Sequence, residues 1–331
     1  MVHRLVLLGS DEIALAAFRA ARSLPGAEVV AVYSQPDRPA GRGQEVRPNP
    51  VAAWAKSEGL TLLQPEKLGP EHALQLTELR ADLGVVMAYG QILKEDFLAA
   101  TRLGFVNFHG SLLPALRGAT PVESALAEGL AETGVSLQQV VRRLDAGPLH
   151  RSISTQVRPG EGRASLRARL GELAGELASS ALPDVLAGRS VPVPQDEAHA
   201  TYTRRLARAD DVLDFRGEAR ALACRVAALE GWPGSAFEHQ GLVIKVGAAT
   251  YEDEPVANLA PGTVCTADRR GVRIVCGRGV LVCTKLQRPA GRMLPAAEFL
   301  AGYPLTPGEV LSSRPMPALV SDRPFPRPSK A

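Results

Sequence analysis

Cysteine is scarce in this chain. Its four cysteines, Cys224, Cys265, Cys276 and Cys283, form no Cys-x-x-Cys pair, and no paired histidines complete a zinc site. They read as reduced core thiols of a cytosolic protein, and no metal centre is expected. Long apolar runs are missing too, so no segment is expected to span a bilayer. The strand-like run Leu5 to Leu8 begins without a signal-type apolar region. Export and membrane attachment are therefore not expected, and the expected location is the cytoplasm. A strong excess of one charge is also absent: the net charge is +3, so any case for a nucleic-acid partner rests on local clustering. The turn Gly9-Ser10-Asp11 could hold an anion at helix amides, but it lacks the full G-x-G-x-x-G pattern of a dinucleotide site. A Gly-x-Ser-x-Gly elbow and a catalytic-cysteine signature are likewise missing.

What is present is a two-domain pattern. The 331 residues exceed the roughly 250–300 at which single cores stop growing. Apolar runs at Leu5–Leu8, Glu28–Tyr33, Leu83–Met87 and Phe105–Phe108 alternate with helical periodicity, as around 12–23. Continuous apolar strands separated by helices predict a doubly wound, mostly parallel α/β sheet covered on both faces. Leu166, Leu170, Leu173, Leu177, Leu182 and Leu186 form a helical stripe that closes a first domain, residues 1–190. Residues 191–204, with Pro192 and Pro194, read as a linker. Short β-rich runs separated by glycine-containing turns follow a helix near 216–229, and they suggest a small β-barrel over 205–312. The proline-rich remainder, 313–331, is expected to be disordered.

Chemistry concentrates in Asn107-Phe108-His109-Gly110-Ser111-Leu112-Leu113-Pro114, followed by Arg117-Gly118, Pro121 and Leu144-Asp145-Ala146-Gly147. Side chains repeat direction every two residues along a strand, so Asn107 and His109 share a face. At the carboxyl end of a strand they open into the crevice where α/β sheets bind ligands.

This run resembles the Asn…His…Ser-Leu-Leu-Pro…Asp signature of the formyltransferases that use 10-formyltetrahydrofolate. Further segments resemble the methionyl-tRNA branch of that family: Gln35-Pro36-Asp37-Arg38-Pro39-Ala40-Gly41-Arg42-Gly43, Met87-Ala88-Tyr89-Gly90, Pro194-Gln195-Asp196-Glu197…Thr201-Tyr202 and Gly231-Trp232-Pro233-Gly234. The resemblance runs from about residue 4 to about residue 312. It implies a Rossmann-like catalytic domain and an OB-like C-terminal domain. The implied reaction moves the formyl group of 10-formyltetrahydrofolate to the α-amine of initiator methionyl-tRNA, for translation initiation.

Formyl transfer between nitrogens passes through a tetrahedral intermediate, so the site must hold an oxyanion and move a proton. Residue chemistry and resemblance together assign oxyanion donation to His109 and Asn107. Asp145 is expected to orient the imidazole, favour its charged form and hold a relay water. The α-amine of the acceptor needs only to be neutral, so no strong protein base is required. Resemblance further implies that Ser111, Leu112, Leu113 and Pro114 border the folate, with Met87, Ala88, Tyr89 and Gly90 lining the pterin side mainly through backbone groups. Arg42 matches the loop that meets the tRNA acceptor arm. Arg269, Arg270, Arg273, Arg278, Lys285, Arg288 and Arg292 face Asp268 alone as an opposing charge within 268–292. That cluster, led by Arg269, Arg270 and Lys285, forms a candidate phosphate track, with Arg204 and Arg205 as similar candidates. The chain departs from the family pattern at Pro148, at Ala115-Leu116 and in the first turn. A monomer is expected. Transfer to a small amine such as glycinamide ribonucleotide or an amino sugar, 10-formyltetrahydrofolate hydrolysis, and a non-catalytic RNA-binding role remain as alternatives.

Overall fold

The structure, a computed structural model, describes residues 2–40, 45–254 and 258–326. The chain divides into two units. Met1–Arg117, Thr133–Thr155 and Arg167–Ala200 make up one, and Gly118–Glu132, Gln156–Leu166 and Thr201–Ala331 the other.

The first unit is built on a sheet of seven strands: β1 (His3–Leu8), β2 (Ala27–Tyr33), β3 (Leu62–Leu63), β4 (Leu83–Val86), β5 (Phe105–His109), β6 (Glu132–Gln139) and β7 (Leu149–Gln156). Their order is β7-β6-β5-β4-β1-β2-β3. Pairing is parallel from β3 through β5 and antiparallel between β5 and β6. The doubly wound expectation therefore holds. β6 and β7 escaped the sequence reading because they mix Ser, Thr and Gln with apolar residues and carry no continuous apolar run. From β1 the chain passes to β2 on one side and later returns to β4 on the other. That reversal makes the carboxyl ends of β1 and β4 a topological switch point, where the crevice of such a sheet opens.

Backbone geometry tightens this point. Gly9 follows β1, and a Cβ there would sit 2.7 Å from both the Met87 carbonyl and the Phe18 ring, so only glycine fits. Ser10 donates from its backbone N–H (3.2 Å) and its hydroxyl (3.0 Å) to the Ala88 carbonyl. The Asp11 carboxylate caps the following turn at Ile13 N–H and also accepts from Arg167. That turn thus carries its own anion. Helix α1 (Leu15–Arg22) follows, and α2 (Pro50–Ser57) starts at Asn49, whose side chain caps Ala52 N–H at 3.0 Å. One face of the sheet buries Val6, Leu8, Tyr33, Val86, Phe97 and Phe105. The predicted leucine stripe lies on a long helix, Arg163–Leu186, in which Leu170, Leu177 and Leu182 are fully buried. Gly171 and Gly175 let that helix come close to Ile13 and Ala16.

In the second unit, Ser235–His239, Leu242–Glu252, Val264–Asp268, Gly271–Val275 and Val280–Gln287 form β8 to β12, an antiparallel sheet ordered β8-β9-β12-β11-β10. It encloses a core of Phe215, Leu222, Ile244, Ile274, Leu281 and Phe299. Cys276 and Cys283 are buried in this core, and desolvation pushes both thiols up. The stretch after 312 shows more structure than its composition suggests. Val320–Ser321 pairs with Tyr202–Thr203, and Leu319 is buried. Prolines there break periodicity yet leave carbonyls free to accept: Ala318 takes Arg204 at 2.9 Å and Pro317 takes Arg225 at 3.2 Å. No helix among the described residues is long and apolar enough to cross a membrane.

Asp210 anchors this region. Its carboxylate is buried and accepts two bonds from Arg204, at 2.6 and 2.9 Å, and one from Ala207 N–H at 2.7 Å. Burial pushes its pKa up, but these bonds and the Arg204 and Arg225 charges outweigh it and hold the carboxyl below its usual range. Its contribution to stability is therefore complete above the unfolded pKa and is lost as pH falls through the lower folded value. Replacing it (Asp210→Asn) should cost about 3–5 kcal/mol, because two cations lose their buried partner. The measurement is denaturation followed by Trp232 fluorescence in a Trp54→Phe background; an unchanged midpoint at pH 7 would contradict the assignment.

Candidate active site

Residues Asn107 and His109 stand at the carboxyl end of β5, opposite Gln138 and Ser136 of β6. His109 is buried. Its Nε2 lies 2.9 Å from the Leu116 carbonyl, which can only accept, so Nε2 carries a proton. Its Nδ1 faces Asp145 Oδ2 at 3.7 Å. Asn107 is half-buried, and its amide makes no hydrogen bond among the described residues. A fixed imidazole, an open amide and a carboxylate are therefore gathered at one strand end.

Asp145 is held in an uncommon conformation. Its φ is +49°, in the left-handed region that Asp tolerates better than most residues. Gln138 donates to Oδ1 at 2.9 Å, which leaves Oδ2 toward the imidazole. Around it, the excursion between β6 and β7 is closed by Gly147. A Cβ at Gly147 would sit 1.7 Å from the Gln139 carbonyl, so the chain can return only with glycine there. Asp145 is thus both a turn residue and a neighbour of His109.

The loop after β5 is fixed by hydroxyls. Ser111 donates to the Ala115 carbonyl at 2.6 Å; Ser136 donates to the Ser111 carbonyl at 2.8 Å and accepts from Leu113 N–H at 3.0 Å. Leu113 is buried, Leu112 and Pro114 are half-buried, and the Leu113–Pro114 peptide is cis. Beyond β4, Met87 and Tyr89 point inward and are buried, whereas Ala88 and Gly90 are exposed with φ of +51° and +84°. This alternation leaves Ala88 and Gly90 at the surface, while the Ala88 carbonyl is taken by Ser10. Because Val86 pairs with Asn107 across β4 and β5, this loop and the Asn107–His109 pair occupy neighbouring strand ends.

Several site residues carried no assigned role in the sequence. Gln138 and Ser136 were missed because β6 was. Arg117, Gln195 and Glu197 sit within motifs that carry the resemblance, but spacing alone could not show what they touch. The guanidinium of Arg117 is fully buried. It donates to Gln195 Oε1 at 2.8 and 3.1 Å and to the two Glu197 oxygens at 3.0 and 3.1 Å. Gln195 Nε2 donates to the carbonyls of Asp145 and Gly147, at 2.9 and 2.7 Å. Glu197 also accepts from Arg143 at 2.5 Å. Hydrogen bonds from Arg117 and Arg143 hold the Glu197 carboxyl down to about 2.

The basic candidates fare differently from one another. Arg42 lies outside the described residues. Arg204 is engaged with Asp210, the Ala318 carbonyl and the Phe325 ring. Arg205, Arg269, Arg270 and Lys285 are exposed in the second unit, with Arg269 and Arg270 at the turn between β10 and β11.

Comparison with known proteins places the chain. The formyl transferase family model matches residues 4–182, and the model of the formyl transferase C-terminal domain matches residues 205–304. A methionyl-tRNA formyltransferase of Xylella fastidiosa is 41% identical over 299 residues, 90% of this chain and 96% of that protein. One of Halorhodospira halophila is 39% identical over 309 residues, 93% of this chain and 99% of the relative. In fold, the chain resembles an N-formyltransferase from Helicobacter canadensis crystallised with folinic acid and dTDP-3-aminofucose. That match has a TM-score of 0.64 at 13% identity and covers 86% of this chain and 99% of the other. HypX from Aquifex aeolicus matches at a TM-score of 0.58 and 16% identity, covering 95% of this chain and 53% of that one. Since family models match both halves and the curated relatives align along nine-tenths of its length, the chain belongs to the formyl transferase family, among the methionyl-tRNA formyltransferases.

Proposed function

We propose that the chain transfers the formyl group of 10-formyltetrahydrofolate to the α-amine of initiator methionyl-tRNA, and that Asn107, His109 and Asp145 carry out the transfer. The observation that carries this reading is the meeting of an Asn107 amide, which makes no hydrogen bond among the described residues, with a buried His109 facing Asp145, next to the exposed, positive-φ residues Ala88 and Gly90. The segment from Met87 to Gly90 suits the pterin side, and the loop from Ser111 to Pro114 supplies an apolar border. The open amide fits a ligand oxygen. The folate brings an activated formyl group on a leaving nitrogen.

Each side chain then has a distinct task. The Leu116 carbonyl holds Nε2–H of His109, so Nδ1, which faces Asp145, is the nitrogen left to act on the substrate. In the charged imidazole, Nδ1–H and the Asn107 amide donate to the oxygen on which negative charge develops. Asp145, at 3.7 Å, stabilises that imidazolium without quenching it in a tight ion pair. It also offers a carboxylate oxygen to the water that carries the proton from attacking to departing nitrogen. A neutral α-amine attacks directly, and the site hydroxyls of Ser111 and Ser136 are engaged with backbone carbonyls. Arg205, Arg269, Arg270 and Lys285 supply tRNA phosphate contacts, and Arg42 contacts the acceptor arm. Arg204 can add a contact only by exchanging part of its Asp210 pairing.

The decisive measurement is single-turnover transfer from 10-formyltetrahydrofolate, comparing charged initiator tRNA, charged elongator tRNA, small amines and no acceptor. Initiator-selective product is expected; transfer only to a small amine, or formate release without an acceptor, would replace the proposed substrate. Asn107→Ala and His109→Ala should each lower kcat by about 10²–10³-fold, the usual loss for a preorganised oxyanion donor. Turnover near wild type in either variant would remove that residue from the mechanism. Neutralising Arg269 and Arg270 together should weaken tRNA binding and reduce the slope of log Kd against log salt by about 1 per lost phosphate contact. An unchanged slope would show that these side chains meet no phosphate.

A further inference from the structure

The residues Gln195 to Glu197 do more than leave the first unit. We propose that they form a strap which, through Arg117, positions the Asp145 carboxylate for the reaction. This rests on the catalytic reading of Asp145 given above.

The argument begins with a mismatch. Residues 191–204 have the composition of a linker, yet Val193 exchanges two backbone hydrogen bonds with Leu149, at 2.7 and 2.8 Å. Two residues further on, Gln195 turns both ends of its amide to work: Oε1 accepts from Arg117, and Nε2 donates to the carbonyls of Asp145 and Gly147. These carbonyls flank the residue whose backbone closes the turn, Ala146. Glu197 grips the other side of the same loop through Arg143, two residues before Asp145, while accepting from Arg117. The loop is therefore held on both sides of Asp145, and both holds lead back to one buried guanidinium.

Positioning matters here because Gln138 holds the Asp145 carboxylate, while the turn that carries its backbone is held by the strap. At φ +49° the backbone pays a local conformational cost that the surroundings must offset. A relaxed turn would swing the carboxylate away from Nδ1. Reacting groups displaced by about 1 Å can lose on the order of 10²-fold in rate. Arg117 suits the anchoring role because its planar fork serves both Gln195 and Glu197 at once. The strap residues touch neither His109 nor Asn107, so they act through Asp145 and are positioning residues.

The test is a double-mutant cycle. Gln195→Glu keeps an acceptor for Arg117 but replaces the donor to the Asp145 and Gly147 carbonyls with an oxygen. It should lower single-turnover kcat by about 10–100-fold, with KM for the folate within about 2-fold and any loss of thermal stability equal in the wild-type and Asp145→Asn backgrounds. In an Asp145→Asn background the same change should have no further effect, since the group it positions is already disabled. Glu197→Gln, which weakens the hold on Arg143 without changing shape, should behave the same way with a smaller loss and keeps the test open if Q195E folds poorly. Wild-type kcat in both strap variants, or a second full loss on top of D145N, would overturn the proposal. Wild-type kcat in D145N alone would instead refute the catalytic reading of Asp145, and the strap proposal would fall with it on that separate ground.

Discussion

A buried guanidinium without partners is among the least tolerable features a folded chain can have, and removing one partner of a buried pair costs about 3–5 kcal/mol. Arg117 lies fully buried at the end of the loop that follows β5, so the chain must bring an acceptor to it. It does so from nearly 80 residues away in sequence, with Gln195 and Glu197. The turn that carries Asp145 is tied to the same need. Gln195 serves Arg117 while lying across the Asp145 turn, and Glu197 does so while reaching Arg143. A requirement of stability thereby becomes a constraint on the geometry of the site. The constraint persists across the working pH range, because the Glu197 carboxyl is held down to about 2 and loses its charge only as pH falls through that value.

The second organising feature is the sheet. Parallel strands deliver their carboxyl ends to one edge, and the reversal of direction between β2 and β4 about β1 opens a crevice there. Glycine at position 9 lets the turn after β1 touch the Met87 carbonyl, and Ser10 locks the loop after β4 through Ala88. The antiparallel β6 then places Ser136 and Gln138 directly opposite His109 and Asn107. One of these side chains staples the loop of Ser111 to Pro114, and the other orients Asp145. The polar residues that kept β6 from reading as a strand are the ones that build the site.

Arginine is used in two ways in the second unit. Arg204 and Arg225 stitch Asp210 to the carbonyls of residues 317 and 318, whereas Arg269 and Arg270 extend from a hairpin turn into solvent. Composition treats these residues alike. Only the presence of a buried carboxylate beside Arg204 separates a structural arginine from one available to a phosphate.

The sequence by itself determined the α/β class, the strands β1, β2, β4 and β5, the leucine face of the long helix, the antiparallel strands of the second unit and the gathering of Asn107, His109 and Asp145 as candidates. The structural signals are local, encoded by periodicity and turn chemistry within a few residues, whereas Asp145 joins Asn107 and His109 only through the resemblance to a family signature. What the tertiary structure decided is everything that depends on contacts between distant segments. Residues 118–132 and 156–166 fall in the unit formed mainly by the end of the chain, the proline-rich tail finds Tyr202–Thr203, and Gln195 finds both Arg117 and Asp145. No pattern in a single strand or helix encodes such pairings, because they are set by the need to satisfy buried charge and backbone carbonyls once the sheet has brought remote segments together.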